Sequence, residues 1–143
     1  MGIKVEFLLY GDDFPVYDLA AELKMQNPIL ERKGQIRLIG FDKKECRLSE
    51  CTSLMYETDY FDTIEAEAPL DAIYSGIFSN IDLIKEYIKK YQLTVKFIVV
   101  INLSENPIIA LSEKFIHLAS ELCAEVEFDS YITPKSKLFW WKR

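Results

Sequence analysis

Two adjacent carboxylates offer the most obvious chemistry in this sequence. Asp12 and Asp13 follow Gly11, and Glu6 precedes them on the same stretch of chain. Such carboxylates could bind a divalent cation or act as acid and base. The structural alternative is that Gly11 makes a turn while one aspartate caps the next helix and complements its dipole. Because neighbouring side chains diverge on a loop and no third ligand is evident, we favour the structural interpretation and predict no metal site.

Aromatic side chains form a second group of candidates. Tyr56 and Tyr60 belong to the acidic stretch 56–62. Exposed tyrosines often anchor protein interfaces, so this stretch could be a partner-binding loop. It could equally be an irregular strand whose aromatic rings lie in the core. Both interpretations stay open, and both tyrosines are candidate binding residues.

The segment after Pro134 combines aromatic and basic residues. Phe139, Trp140 and Trp141 are flanked by the cations Lys135, Lys137, Lys142 and Arg143. These rings are costly to leave in water, so the segment could fold back on the domain, bind another protein or a second copy, or touch an anionic membrane surface. We therefore include the three aromatic residues among the candidate binding residues and treat 133–143 as a basic aromatic C-terminal tail.

Signatures of catalysis are missing from the sequence. His117, the one histidine, is expected at the surface, away from the apolar face of its helix. The three cysteines, Cys46, Cys51 and Cys123, lack the spacing of a zinc or redox site and suggest free thiols in a reducing compartment. Neither GxSxG, HExxH nor a phosphate-binding glycine loop occurs. We predict no catalytic residue and no cofactor, and lean towards a protein that is not an enzyme.

Composition narrows the class of protein further. A chain of 143 residues, half of them hydrophobic, is typical of one folded domain. Its longest apolar run, 97–101, is far short of a membrane span. The net charge of −6 argues against nucleic acid, which basic surfaces bind. No export signal opens the sequence, so we expect a cytoplasmic protein.

Hydrophobic periodicity predicts the elements that position these residues. Strands are expected at 3–10, 35–39, 93–103 and 124–132, with a turn at 40–44 leading into a further strand. The spacing predicts helices over 14–25 and 66–91, the latter divided at Asn80 by a capping box formed by Ser79 and Asp82, and a helix capped by Ser112. The stretch 46–62 is β-leaning but irregular. Near-continuous apolarity places 93–103 inside the sheet, whereas the acidic face of 124–132 is typical of a half-exposed strand that resists edge pairing.

This order predicts an α+β fold, a two-layer sandwich with helices packed on a mostly antiparallel sheet. We predict a single domain over residues 1–132, followed by the tail 133–143.

The sequence resembles a bacterial family, domain of unknown function 4279. The resemblance begins at the strand that ends in Tyr10-Gly11-Asp12-Asp13-Phe14 and continues through Leu19, Leu23 and Arg32-Lys33-Gly34. It closes with the strand at 95–101, the turn at 107–112 and the run 118–129, so that it covers roughly residues 3–132. It implies an α+β fold in a bacterial cytoplasm and implies no activity.

These observations favour a non-enzymatic protein-binding module, immunity-like or accessory, with an acidic surface that could attract a basic partner. Two alternatives remain: a small-molecule-sensing α+β domain, and a metal-dependent hydrolase that uses Asp12 and Asp13 with Glu6 and Asp59.

Overall fold

A computed structural model describes residues 1–39 and 45–132. In chain order the elements are β1 (Gly2–Gly11), α1 (Val16–Leu23), β2 (Ile29–Glu31), β3 (Ile36–Ile39), β4 (Glu45–Leu48), β5 (Thr52–Glu57), α2 (Glu67–Phe78), α3 (Ile81–Tyr91), β6 (Thr94–Leu103), α4 (Glu113–Glu121) and β7 (Glu125–Ile132). The predicted turn at 40–44 and the tail 133–143 lie outside the described residues.

Strand β1 lies at the centre of a five-stranded sheet of order β2-β5-β1-β6-β7. It pairs antiparallel with β5 on one side and with β6 on the other, and β2 pairs antiparallel with β5. Strands β6 and β7 are parallel, and α4 provides the crossover connection that a parallel pair needs. The predicted mostly antiparallel sheet is therefore confirmed, as is the position of β6 inside it. Strands β3 and β4 form a separate antiparallel pair.

The sheet has one face that the helices cover. Along β1 the alternate residues Ile3, Val5, Phe7 and Leu9 are fully buried and belong to one hydrophobic core with buried residues of all four described helices. Phe97 of β6 lies at the middle of this core, with its ring centroid 5.4 Å from that of Phe7 and 5.1 Å from that of Phe115. Helices packed on a mostly antiparallel sheet confirm the predicted α+β fold.

Two predictions about helix starts were correct and one was wrong. Ser112 is the N-cap residue of α4, and its hydroxyl accepts a hydrogen bond from the Phe115 N–H at 3.3 Å. Helices α2 and α3 are separate, and Asn80 is the N-cap residue of α3. The predicted capping box is absent, because Ser79 ends α2 and its hydroxyl donates to the Gly76 carbonyl.

Helix α1 is shorter than predicted. It ends at Leu23 because Lys24 takes a left-handed conformation with φ of 53°. Within the predicted helix Tyr17 is half exposed, whereas Leu19 and Leu23 are buried. The irregular stretch 46–62 contains β5, whose Leu54 lies in the core.

In the part of the chain that the structure describes, no helix combines the length and the apolar character needed to cross a membrane.

Candidate functional site

The two aspartates that follow β1 tie a turn together and do not cap α1. The N-cap position of α1 is Pro15, and it has no side-chain hydrogen bond. Asp12 forms an exposed ion pair of 2.5 Å with Lys33 Nζ, and this contact raises the pKa of Lys33. Asp13 accepts a hydrogen bond of 3.3 Å from Thr52 Oγ1. The capping interpretation was wrong because both carboxylates turn towards the chain around β2 and β5.

These aspartates do not meet the other carboxylates of the hydrolase hypothesis. Glu6 and Asp12 are six positions apart along an extended strand, which separates them by about 20 Å. Within the described ranges no group of three or more histidine, cysteine, aspartate or glutamate side chains could hold a metal ion. Glu6 instead lies opposite Glu57 of β5. The structure thus gives the hydrolase hypothesis no assembled site among these residues.

Tyr56 and Tyr60, which the sequence treated together, have different environments. Tyr56 is partly buried and packs against the core, and its ring lies over Gly76 of α2. Tyr60 is 41% exposed, and its ring centroid is 5.1 Å from Lys4 Nζ. Tyr56 therefore packs mainly on the core layer, and Tyr60 is the more exposed of the two.

The sheet face opposite the helices is the most distinctive surface of the described residues. We call it the open face, because none of the four described helices packs on it. The register of the five strands puts the even-numbered residues of β1 on this face together with their neighbours across the sheet. It carries the carboxylates Glu6, Glu57, Glu125, Glu127 and Asp129, the ammonium groups Lys4 and Lys96, and the apolar side chains Leu8, Ile29, Met55, Ile98 and Val100.

A cluster of charges lies towards one end of the open face. Lys4 Nζ is 3.0 Å from Glu57 Oε2 and 3.6 Å from Glu6 Oε2. Burial raises the pKa of Glu6, and its hydrogen bond to Glu57 adds to the rise, while Lys4 opposes it. Burial lowers the pKa of Lys4, but the hydrogen bond and charge of Glu57 outweigh that effect, so the pKa is raised. The cluster thus keeps Lys4 charged and leaves acidic character in excess.

The edge strand β7 supplies further carboxylates of the open face. Lys96 Nζ is 3.0 Å from Glu127 Oε1 and 3.8 Å from Glu125 Oε2, and the bond to Glu127 raises the pKa of Lys96. The Tyr131 hydroxyl donates to Asp129 Oδ2 at 3.0 Å, which raises the pKa of Tyr131. One lysine here faces two glutamates, and the edge of the sheet is acidic.

An apolar hollow lies beside these carboxylates. It has a volume of about 390 Å³ and is lined by Leu8, Tyr10, Ile29 and Met55, with Lys96 and Glu31 at its margin. Each of these residues comes from β1, β2, β5 or β6, so the hollow exists only in the assembled sheet. A concave apolar surface with polar groups at its rim can accept an apolar side chain of a partner and fix the partner's orientation.

Sequence reasoning missed most of this surface. It noted the acidic alternation of β7, but it did not connect it with Glu57, Lys96 or Met55, which the strand register brings alongside. One available signal was the alternation in β1, where Lys4 and Glu6 interleave with Ile3, Val5 and Phe7. That pattern indicates a strand with one face turned away from the core.

The remaining candidates divide between described and undescribed residues. His117 is at the surface as predicted, with 75% of its side chain exposed and Nε2 3.7 Å from Glu113 Oε1. Cys51 and Cys123 are free thiols, as expected. Phe139, Trp140, Trp141 and their flanking cations lie outside the described residues.

The fold and this surface describe an α+β protein with helices on one side of its sheet and a charged, partly apolar face on the other. Residues 1–133 match the family model described as Domain of unknown function (DUF4279). The chain therefore belongs to that family, as the resemblance suggested. No curated protein and no solved structure matches it.

Proposed function

We propose that this protein is a non-enzymatic protein-binding module, of immunity-like or accessory type, that binds a basic protein through its open face. The observation that carries the proposal is the apolar hollow beside Glu125, Glu127, Glu6 and Glu57. Interfaces of this kind place an apolar anchor in a pocket and surround it with polar contacts. A bacterial cytoplasmic setting fits the proposal, as do the free thiols Cys51 and Cys123.

The charge of the open face suggests how a partner would be selected. Its carboxylates outnumber its lysines, and the whole chain carries a net charge of −6. Such a field attracts basic surfaces and accelerates their encounter, and it repels nucleic acid phosphates. We therefore expect a partner with lysine or arginine side chains around an exposed apolar residue, and an association rate that falls as salt is added.

Affinity capture with paired variants tests this function. The tagged wild-type chain, a Glu125→Gln/Glu127→Gln variant and a Glu113→Gln/Glu121→Gln variant are each used to recover proteins from the source lysate. The second pair removes the same charge from α4, on the helix side. A basic protein recovered by the wild type and by the α4 variant, but lost with the β7 variant, supports the proposal.

The recovered protein is then purified and titrated against the wild-type chain. We expect saturable one-to-one binding that weakens at high salt. Recovery that is equal for both variants would place any interaction away from the open face and would refute this assignment.

Small-molecule sensing is a second candidate function, favoured by one further cleft. It has a volume of about 660 Å³ and is lined by Gln26, Asn27, Ala72 and residues 56–61. That volume lies within the range of about 300–1,000 Å³ that ligand sites occupy. A thermal-shift screen of metabolites tests it, since a ligand that prefers the native state raises Tm. A hit that Asn27→Ala abolishes would support sensing, and a screen without a shift would count against it.

A further inference from the structure

The open face is shielded only at its middle. Val100 is 6% exposed, and the side chains of Glu6 and Lys4 are 16% and 19% exposed. None of the four described helices packs on this face. One face of an antiparallel sheet commonly meets water, and charged residues there are expected to keep most of their exposure. The margins of the face keep that exposure, since Ile29 is 46% and Tyr131 57% exposed, so the face has surface left for a further contact.

The chain contains a segment whose chemistry complements this face. Residues 133–143 carry Phe139, Trp140 and Trp141, which suit an apolar hollow. The same segment carries four cations and no carboxylate side chain, which suits a surface with an excess of carboxylates. The segment is Thr133, Pro134, Lys135, Ser136, Lys137, Leu138, Phe139, Trp140, Trp141, Lys142 and Arg143.

The reach of this segment fits the face. Strand β7 ends at Ile132, next to Tyr131, which lies on the open face level with Asn102 and Gly2. From there to the hollow at Leu8 is about six residues along the strands and two to three strand spacings across them, or roughly 23 Å. Eight residues of extended chain, which lead from Ile132 to Trp140, span about 26 Å. An extended path would carry Lys135 and Lys137 past the carboxylates of the face before the aromatic residues reach the hollow.

We propose that residues 133–143 bind the open face of their own chain, with aromatic side chains in the hollow lined by Leu8, Tyr10, Ile29 and Met55 and with lysines beside the carboxylates of β1, β5 and β7. The inference rests on the proposed function in treating the open face as a binding surface. A tethered segment has an effective concentration in the millimolar range, so it competes strongly with free partners. A basic partner must displace this segment. The partner's apparent affinity is therefore its intrinsic affinity multiplied by the fraction of chains whose open face is free.

A second copy of the chain is a poorer occupant. Two open faces brought together would oppose carboxylates to carboxylates, which costs binding energy. The occupant from the same chain brings the opposite charge. The two cases differ in a measurable way, because binding within one chain does not depend on protein concentration.

Tryptophan fluorescence of the full chain provides the test. Trp140 and Trp141 are its only tryptophans, so indole emission reports on this segment alone. We expect blue-shifted emission that is protected from iodide and unchanged on dilution. Leu8→Lys places a cation in the hollow and should shift the emission to the red and expose it to iodide. The matched control is Ile116→Lys, a 52% exposed position on α4, which should change neither. Far-UV circular dichroism verifies that both variants are folded.

A titration in trans adds a second readout. The full chain with Trp140→Ser and Trp141→Ser has no tryptophan, so a synthetic peptide of residues 133–143 supplies the whole signal. We expect this peptide to bind the tryptophan-free chain saturably, with an affinity that falls as salt is added. The wild-type chain should bind the peptide about tenfold more weakly, because its own segment occupies the open face. Adding Leu8→Lys to the tryptophan-free chain should also weaken binding by about tenfold.

Wild-type emission like that of the free peptide would overturn the inference, and so would emission that changes with protein concentration. Failure of the inference and failure of the proposed function are distinguishable. If the tryptophans emit as in the free peptide while the β7 variant specifically loses a captured protein, the inference fails and the proposed function is supported. If the tryptophans are protected from iodide but no partner is captured, the inference is supported and the proposed function fails.

Discussion

Glu6 and Glu57 lie directly opposite each other on neighbouring antiparallel strands, and the ammonium of Lys4 contacts both carboxylates. Like charges directly opposite on a sheet destabilise it unless a cation or a shared proton compensates. Here Lys4 lies within 3.6 Å of each carboxylate, and the raised pKa of Glu6 makes this carboxylate easier to protonate as the pH falls. This part of the sheet should therefore respond to pH.

Replacing Glu6 by Gln should stabilise the protein at neutral pH. Because the pKa of Glu6 is raised, the folded state holds the proton of this carboxyl more firmly than the unfolded state does. Glu6 therefore contributes its full stability below the pKa that it has in the unfolded chain. That contribution is lost as the pH rises through the pKa that it has in the folded chain. Glu6→Gln removes that loss, and we expect a gain of less than about 1 kcal/mol at pH 7. The gain should shrink as the pH falls towards about 4.

Urea unfolding at several pH values measures this effect. Glu125→Gln is the matched control, because that side chain is 69% exposed and 3.8 Å from its lysine. It should change stability by less than about 0.5 kcal/mol at any pH. A loss of stability for Glu6→Gln at pH 7 would contradict the prediction.

Removing the cation should have the opposite effect. Lys4→Met leaves Glu6 and Glu57 without their shared ammonium, so we expect a loss of about 1–2 kcal/mol at pH 7. The loss should diminish in acid as the carboxylates take up protons. Adding Glu6→Gln to Lys4→Met should recover part of the stability at neutral pH, and a double-mutant cycle would measure the coupling. Strictly additive effects would show that the three groups are not energetically linked.

Gly76 should not tolerate alanine, although it lies in a helix. Gly→Ala in a helix ordinarily gains about 0.5–1 kcal/mol. Here a Cβ would lie 2.9 Å from Tyr56 Cε1 and 3.1 Å from its hydroxyl oxygen. Because the ring would have to move within a packed layer, we expect a loss of about 1–3 kcal/mol in thermal or urea unfolding.

Tyr56→Leu provides the rescue for this prediction. In that background the atoms nearest the new Cβ are gone, so Gly76→Ala should become neutral or stabilising. Ser75→Ala, at the exposed neighbouring position, controls for helix propensity and should stay within about 0.5 kcal/mol of the wild type. A stabilising Gly76→Ala in the wild-type background would show that Tyr56 moves aside freely.

The start of α4 should depend on one hydroxyl. Ser112→Ala removes the acceptor for the Phe115 N–H and should cost about 1 kcal/mol. Ser112→Asp keeps an acceptor and should retain most of the stability. The comparison is made by urea unfolding, and equal losses for the two variants would indicate that the cap hydrogen bond contributes nothing.

Local sequence signals predicted the elements better than their arrangement. The period of hydrophobic residues identified β1, β6 and β7, and Ser112 marked a helix start because a cap acts within one turn. The capping interpretation of Asp12 and Asp13 failed because their partners, Lys33 and Thr52, are about 20 and 40 positions away. No local pattern reports such a contact.

The open face shows the same limit for the candidate site. Only the register of three pairings, among β5, β1, β6 and β7, puts Glu6 opposite Glu57 and level with Glu127. The acidic alternation of β7 was visible in the sequence, but its neighbours were not. Tyr56 and Tyr60 were indistinguishable in sequence, since both belong to one β-leaning stretch, yet one packs on α2 and the other lies beside Lys4.

The central place of β1 has a consequence for synthesis on the ribosome. Its partners on β6 lie 84 to 100 positions later in the chain, from the pair of Tyr10 with Thr94 to that of Gly2 with Asn102. At roughly 5–20 residues per second, translation takes about 4–20 s to supply them. During that interval the apolar side of β1 has no complete layer to join, so a nascent chain of this protein should depend on chaperones near the exit tunnel until β6 emerges.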